Sequence, residues 1–312
     1  MSLNKIFYSF LILFIVNYST ITFAQTSSET TAVELEEIVV TAQRREQNIS
    51  DVSQAVQALS GEDLDELNIT NFEEMITLIP GAIQNSTISH GSNVYSIRGV
   101  AASETDGDAT VGYYLDNFAF SIPGRPYAPV TDLYDTERVE VLRGPSGTLY
   151  GLGSLGGTIK VITKDPVIGE FEGSFKATVS EIDDGDSSYT GDIVINAPIS
   201  DNAAIRAVLS IKDIGGWAEI IPSDQTDGNP YEALTGRLKL LVEPNEKTSV
   251  KFTYWRQDSE QEYANRLTYP SPPAIDNVFG ETFSDYTIYI LDVAYDLGFA
   301  MLESTTGYME NT

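Results

Sequence analysis

The sequence predicts a small α+β domain followed by an antiparallel transmembrane β-barrel. Three observations predict this. A strand–turn–strand stretch dense in glycine runs from Val139 to Lys164. After Asp165-Pro166 the recognisable elements alternate apolar and polar residues with a period of two. An apolar leader opens the chain, and no later segment approaches a membrane-spanning helix, so insertion must use strands.

Bulk composition narrows the function. The 312 residues carry 46 Asp and Glu against 18 Lys and Arg, a net charge of −28. That balance argues against nucleic-acid binding, which needs a basic footprint. Without cysteine there is no disulfide frame, thiolate metal site or cysteine nucleophile, and a single histidine, His90, leaves little for a triad or a histidine-rich metal site. No metal site and no cofactor is expected.

Residues 1–24 read as a secretory signal peptide. Lys5 supplies the positive start, Ile6 to Val16 the apolar run, and Thr22-Phe23-Ala24 a small-x-small cleavage site. Residues 25–49 are expected to be disordered, being polar and without period at their start. Within them lies Leu35-Glu36-Glu37-Ile38-Val39-Val40-Thr41-Ala42, a β-branched run between acids and Arg44-Arg45. It suits a strand that adds itself to another protein's sheet edge, or an ordinary first strand of the domain.

Residues 50–165 make the α+β domain. Ser60-Gly61-Glu62-Asp63 and Asn71-Phe72-Glu73-Glu74 each place a capping oxygen three residues before an acid, the start of a short helix; the second helix is expected to stop at Pro80-Gly81. Tyr95–Gly99 and Gly112–Asp116 read as strands separated by a polar loop, and Ser121–Val130 is a proline-rich loop. In the central stretch Val139 and Val141 alternate with charged neighbours. Six glycines follow from Gly144 to Gly157, and Ile159 to Ile162 resume the β-branched run. Gly151-Leu152-Gly153-Ser154-Leu155-Gly156 satisfies the spacing of a dinucleotide fingerprint, but a strand follows it where a helix is required.

Residues 166–312 contain roughly seven amphipathic strands. One face carries Ile193, Ile195, Leu209, Leu234, Leu238, Phe252 and Leu291; the other carries Asp192, Asn196, Arg206, Arg237, Lys239, Lys251 and Asp292. Short turns (Ser200–Asn202, Pro244–Glu246, Leu297-Gly298) alternate with longer polar segments (182–187, 217–230, 259–285), as in outer-membrane barrels. Seven strands are odd and too few to close a barrel, so the chain is expected to be the first part of a longer protein. The acidic loops, Asp183, Asp184 and Asp186 among them, lack an ordered calcium-ligand spacing.

The wording V-E-V-L-R-G-P-x-G-T-L-Y-G…G-G-x-I-x-x-I-T-K, with I-R-G at Ile97–Gly99, resembles the plug signature of TonB-dependent outer-membrane receptors. The resemblance implies a plug inside a barrel of about 22 strands and a transporter rather than an enzyme. It implies proton-gradient-driven uptake of a scarce ligand, foremost a ferric siderophore or other iron complex, across the outer membrane of a Gram-negative bacterium. Its implied partners are the inner-membrane TonB protein, the ligand and outer-membrane lipid, with no nucleic acid.

On the same resemblance, Glu36, Glu37, Ile38, Val39, Val40, Thr41 and Ala42 match the TonB box. Arg98 and Arg143 match plug arginines that pair with glutamates on the barrel wall, expected here beyond residue 312. Plug apices make ligand contacts in the family, giving His90, Glu104, Asp106, Asp108, Arg125 and Tyr127 as candidates. Leu152-Gly153 stands where many members have Arg-Asn, so no contact at that turn carries over. The alternatives are a passive porin-like or adhesin-like barrel, and an importer of a non-iron ligand such as cobalamin or an oligosaccharide.

Overall fold

Alternation and helix capping build the first domain. The computed structural model describes residues 39–87, 93–102, 107–151, 153–183, 185–220, 225–262, 274–275 and 282–311. The signal peptide and residues 25–38 therefore lie outside the described residues. In chain order the domain has strands β1 (Val39–Val40), β2 (Gln47–Asn48), β3 (Ala55–Ser60), β4 (Ala82–Thr87), β5 (Asn93–Ile97), β6 (Val111–Leu115), β7 (Phe118–Ala119), β8 (Thr136–Arg143) and β9 (Gly157–Thr163). Its helices are α1 (Gly61–Glu66), α2 (Phe72–Ile76) and α3 (Gly147–Tyr150).

Five strands form a sheet in the order β3-β8-β9-β6-β7, with β6 and β9 parallel. Val139 and Val141 pair across β8–β9 with Val161 and Ile159, and all four are fully buried. α1 begins in a complete capping box: Ser60 accepts from the Asp63 N–H, and the Asp63 carboxylate accepts from the Ser60 N–H. α2 is capped by Asn71, which accepts from the Glu74 N–H.

Three expectations change in detail. Residues 39–49, placed in the disordered stretch, form β1, β2 and the start of a 3-10 turn at Ile49–Asp51. They order because Val40 and Ala42 bury completely against Tyr114, Leu142 and Tyr150, which offsets the chain entropy lost. The glycine-dense turn holds one helical turn, α3. α2 ends at Ile76, and Leu78 and Ile79 continue in turns by donating to Met75 and Ile76 carbonyls before Pro80.

The second part is one antiparallel wall. Its strands are β10 (Glu172–Glu181), β11 (Ser187–Ser200), β12 (Ala203–Ile214), β13 (Ala218–Ile220), β14 (Gln225–Gly228), β15 (Tyr231–Asn245), β16 (Thr248–Gln261), β17 (Ala274–Ile275), β18 (Thr282–Phe283), β19 (Tyr286–Asp296) and β20 (Met301–Asn311). The main path is β10-β11-β12-β15-β16-β19-β20, each strand beside its neighbour. The small sheet β14-β13-β17 lies in the long connections, and β18 pairs the end of β16. Pro198 sits at a register shift near the β11–β12 turn, where a missing N–H costs no ladder bond.

The two faces of the wall differ as the period demands. Phe175, Ile193, Ile195, Leu209, Leu234, Leu238, Phe252 and Leu291 are exposed on the outer face. Inward Asn196 is buried against the backbone of Val167 and Glu170 in the connecting segment. Asp192, Arg206, Ser210, Arg237 and Lys239 turn inward and are buried on the side of the first domain. Apolar inward residues join its core: Trp255, Tyr286, Ile288 and Ile290 share one cluster with Phe72, Tyr113, Phe120 and Leu133. Gly307 of β20 lies under the Phe118 ring, where a Cβ would meet ring carbons.

Gly157 tests the packing of the central motif. A Cβ there would meet the Leu142 carbonyl oxygen and stand 2.7 Å from Ile97 Cδ1. Gly157→Ala should therefore cost about 1–3 kcal/mol, read as a lower melting temperature of the detergent-solubilised protein; an unchanged melting temperature would contradict this packing.

Candidate functional site

The first site is where the N-terminal segment meets the domain. On β8 and β9, Val139, Val141, Ile159 and Val161 take one face, so Glu140 and Lys160, lateral neighbours in the ladder, take the other. That second face is covered by residues 40–44. Glu140 is fully buried and Lys160 is 2% exposed. The Thr41 N–H donates to Glu140 Oε1 at 2.7 Å, and Lys160 Nζ donates to Thr41 Oγ1 at 2.7 Å and to Asn117 Oδ1 at 3.3 Å. Arg138 Nε also donates to Glu140 Oε1, at 2.9 Å. Burial pushes the Lys160 ammonium below its ordinary range, against the opposing pull of Glu140 and Asp116.

Arg44 closes the cover. Its guanidinium lies over the Tyr114 and Tyr150 rings, 5.0 and 4.7 Å from their centres, and donates to the Leu149 carbonyl at 3.3 Å. The Tyr150 hydroxyl donates to the Ala42 carbonyl at 2.9 Å. Burial raises that hydroxyl to a pKa of about 12, against the lowering effect of Arg44. Val39 is 44% exposed, and among the described residues β1 pairs on one side only, with β2. Of the expected strand-adding segment, Val39, Val40, Thr41 and Ala42 are thus placed, while Glu36, Glu37 and Ile38 lie outside the described residues.

The second site is the seam between domain and wall. Arg206 of β12 forms a bidentate pair with Asp135 and reaches Glu172 at 2.9 Å. Arg237 of β15 joins the same Asp135 at 2.9 Å, donates to its carbonyl at 2.8 Å and stacks on Trp255. Lys239 reaches Asp116 at 3.0 Å and Asp165 at 2.8 Å, Lys251 reaches Asp165 at 2.8 Å, and Lys212 reaches Asp132 at 3.2 Å. Burial raises the Asp116 carboxyl, but Lys239, Lys251 and the Thr163 N–H outweigh it and hold the pKa at about 2. Asp132 and Asp135 are also held below the ordinary range: burial raises each, and the Lys212 ammonium and the Arg206 and Arg237 guanidiniums outweigh it. A cavity of about 210 Å³ lies along this seam, lined by Phe72, Glu73, Tyr95, Asp132, Lys212 and Gln257 among others.

The remaining candidates divide. Asp108 Oδ1 accepts from the Gly124 N–H at 2.8 Å, joining its loop to the proline-rich loop next to exposed Arg125. Tyr127 is half-buried. His90, Glu104 and Asp106 lie outside the described residues, as does Asp184. Arg98 is exposed, with φ 57° and its N–H on the Gly81 carbonyl. Arg143 Nη1 donates to the Pro80 carbonyl at 3.2 Å, and its Nε is buried without a hydrogen-bond partner. Sequence reasoning missed Arg44, Glu140, Lys160 and the seam carboxylates. The alternation on β8 was the available signal, since a charge on the hidden face of a two-sided sheet needs a partner.

A small α+β domain salt-bridged to the polar face of an antiparallel wall, with an apolar belt outside, is the arrangement of a plug seated against part of a transmembrane β-barrel wall. The model of the TonB-dependent receptor plug domain matches residues 48–158. The pesticin receptor of Yersinia pestis is 28% identical over 229 residues, covering 72% of this chain and 32% of that protein. The vitamin B12 transporter BtuB of Vibrio vulnificus is 26% identical over 235 residues, covering 74% and 36%. Among solved structures, the ferric yersiniabactin uptake receptor FyuA from Yersinia pestis superposes with a TM-score of 0.69 at 18% identity, over 84% of this chain and 41% of that one. The chain spans about a third of the length of the curated relatives it matches.

Residues 48–158 are a TonB-dependent receptor plug domain, and the relatives that the chain is similar to are outer-membrane transport receptors and not enzymes. The first domain is that plug.

The seam makes two predictions. Asp135→Ala leaves Arg206 and Arg237 buried without their carboxylate and should cost about 3–5 kcal/mol, measured by thermal unfolding in detergent; a loss below about 1 kcal/mol, the value of an exposed pair, would contradict the assignment. The Asp116 carboxyl is depressed from 3.8 to about 2, so its stabilisation is full above 3.8 and lost as pH falls to about 2. Acid titration of stability should lose on the order of 2 kcal/mol across that window, and Asp116→Asn should remove this component.

Proposed function

We propose that the protein is an active, TonB-coupled importer, driven by the proton gradient, of a scarce ligand, foremost a ferric siderophore or other iron complex. Residues 1–24 are its signal peptide, 25–49 its N-terminal segment, 50–165 its plug and 166–312 wall strands. The TonB box is Glu36–Ala42. The observation that carries the reading is β1: a β-branched strand with one edge unpaired among the described residues, followed at once by residues fixed to the plug. Such a strand can extend the sheet of a partner while its tail stays attached.

The ligand class draws on the printed names of relatives: a ferripyoverdine receptor of Pseudomonas aeruginosa and FyuA of Yersinia pestis handle iron complexes. The match to a vitamin B12 transporter keeps a cobalamin reading as the second. Asp108, Arg125 and Tyr127, together with His90, Glu104 and Asp106, are the proposed ligand contacts, and Arg98 and Arg143 are proposed to pair with wall carboxylates. The buried, unpartnered Nε of Arg143 supports that pairing.

A synthetic peptide of residues 34–46 should bind the isolated TonB C-terminal domain, and Val39→Pro should abolish binding by removing a ladder donor. Binding indifferent to the proline would count against strand addition.

A further inference from the structure

Resting on the TonB-coupled reading, we infer that Thr41–Arg44 is a force-transmitting clamp: TonB pairs with the first part of the box, Glu36–Val39, while Glu140, Lys160 and Tyr150 hold its end, Thr41 and Ala42, and pass the pull directly into the middle of the plug sheet. The geometry separates these two roles within a few residues. Val39 is exposed and, among the described residues, has no sheet partner on its second edge, whereas Val40 and Ala42 have no exposure. The anchors of Thr41 and Ala42 are on central elements. Glu140 is on β8, Lys160 on β9 and Tyr150 on α3, the helical turn between those strands.

The covalent route from the segment leads elsewhere. Past residue 44 the chain runs through β2 and the 3-10 turn to β3, an edge strand whose one sheet neighbour among the described residues is β8, over Ala55–Ser60 against Arg143–Arg138. A pull arriving by the chain alone would peel β3 one pair at a time from the Ala55–Arg143 end. A pull arriving through the clamp reaches β8 and β9, which lie inside the sheet and carry Val139, Val141, Ile159 and Val161 in the shared core. The two routes load different parts of the plug.

The clamp chemistry suits tension. Its bonds run to a carboxylate and an ammonium, the stronger class of hydrogen bond, and the Glu140 and Lys160 ends of those bonds are buried. Arg44 adds two ring faces and two carbonyls, Leu149 and Asn117. Glu140, Lys160, Tyr150 and Arg44 are in this sense positioning residues for transport, acting through the segment and not on the ligand.

Single-molecule pulling tests the clamp on the whole receptor in a lipid nanodisc, with the TonB C-terminal domain on the probe. The wild type should show no slack before the first plug unfolding event. Glu140→Gln and Lys160→Met should release residues 41–54 first, adding roughly 50 Å of low-force extension. Their affinity for the TonB domain should stay within about twofold of wild type, and Lys160→Arg should recover most of the lost resistance. Because a buried-charge variant can disturb folding, Thr41→Cys/Glu140→Cys joined by a short bifunctional thiosulfonate serves as a second variant in this cysteine-free chain. The joined form should pull as wild type and still transport iron-55 supplied as ferric yersiniabactin or ferripyoverdine, whichever the wild type takes up.

Slack in the wild type, or variants that pull like it, would overturn the clamp. So would a tenfold gain in TonB affinity in the variants, with transport lost on cross-linking, since the segment would then be a restraint that must open. Failure of the wild type to bind the TonB domain at all would instead overturn the receptor reading beneath it.

Discussion

The structure depends on one arrangement of charge: cations on the inner face of the wall meet carboxylates on the outer face of the plug. Asp135 takes both Arg206 and Arg237, Asp116 takes Lys239, and Asp132 takes Lys212. An isolated buried charge is costly, so each member fixes the position of the other. On the β16–β19 side Lys251 still reaches Asp165, but Trp255, Tyr286, Ile288 and Ile290 bring an apolar surface into the plug core. The plug is thus held chiefly by ion pairs on the β12–β15 side and largely by dispersion and area burial on the other.

This division bears on how a plug can be both seated and movable. The ion pairs gather on residues 116–165, downstream of β6. The N-terminal half of the plug meets the wall cations chiefly through the Thr70 carbonyl, which accepts from Lys212 at 3.4 Å. The N-terminal segment is fastened to the same downstream half, through Glu140 and Lys160. The N-terminal segment and the seam are therefore joined through the β8–β9 ladder, and among the described residues what lies between them in sequence makes fewer charged contacts with the wall.

Local and periodic features were legible in the sequence. The Ser60–Asp63 capping box is written in four residues, and the amphipathic strands are written in their period of two, so the first helix and the seven-strand wall could be read directly. The glycine motif between β8 and β9 was equally plain, apart from the helical turn that Gly147–Tyr150 makes inside it. What required the fold was every pairing between distant residues. Asp135 and Arg206 are 71 positions apart, and Thr41 and Glu140 are 99 apart. Alternation shows that Glu140 and Val139 face opposite ways but not that both faces are covered. Trp255 illustrates the same limit: an aromatic on the polar face of a strand makes sense only once a plug packs against it.

Transport itself is tested most directly by iron-55 uptake into cells expressing the receptor, with the proton gradient intact and then collapsed by a protonophore. The iron is offered as ferric yersiniabactin or ferripyoverdine, and a strain lacking TonB runs in parallel. The account predicts uptake that stops in both the de-energised and the TonB-less cells while surface binding of the complex persists. Uptake that continues without the gradient or without TonB would contradict it and would make the protein a passive pore.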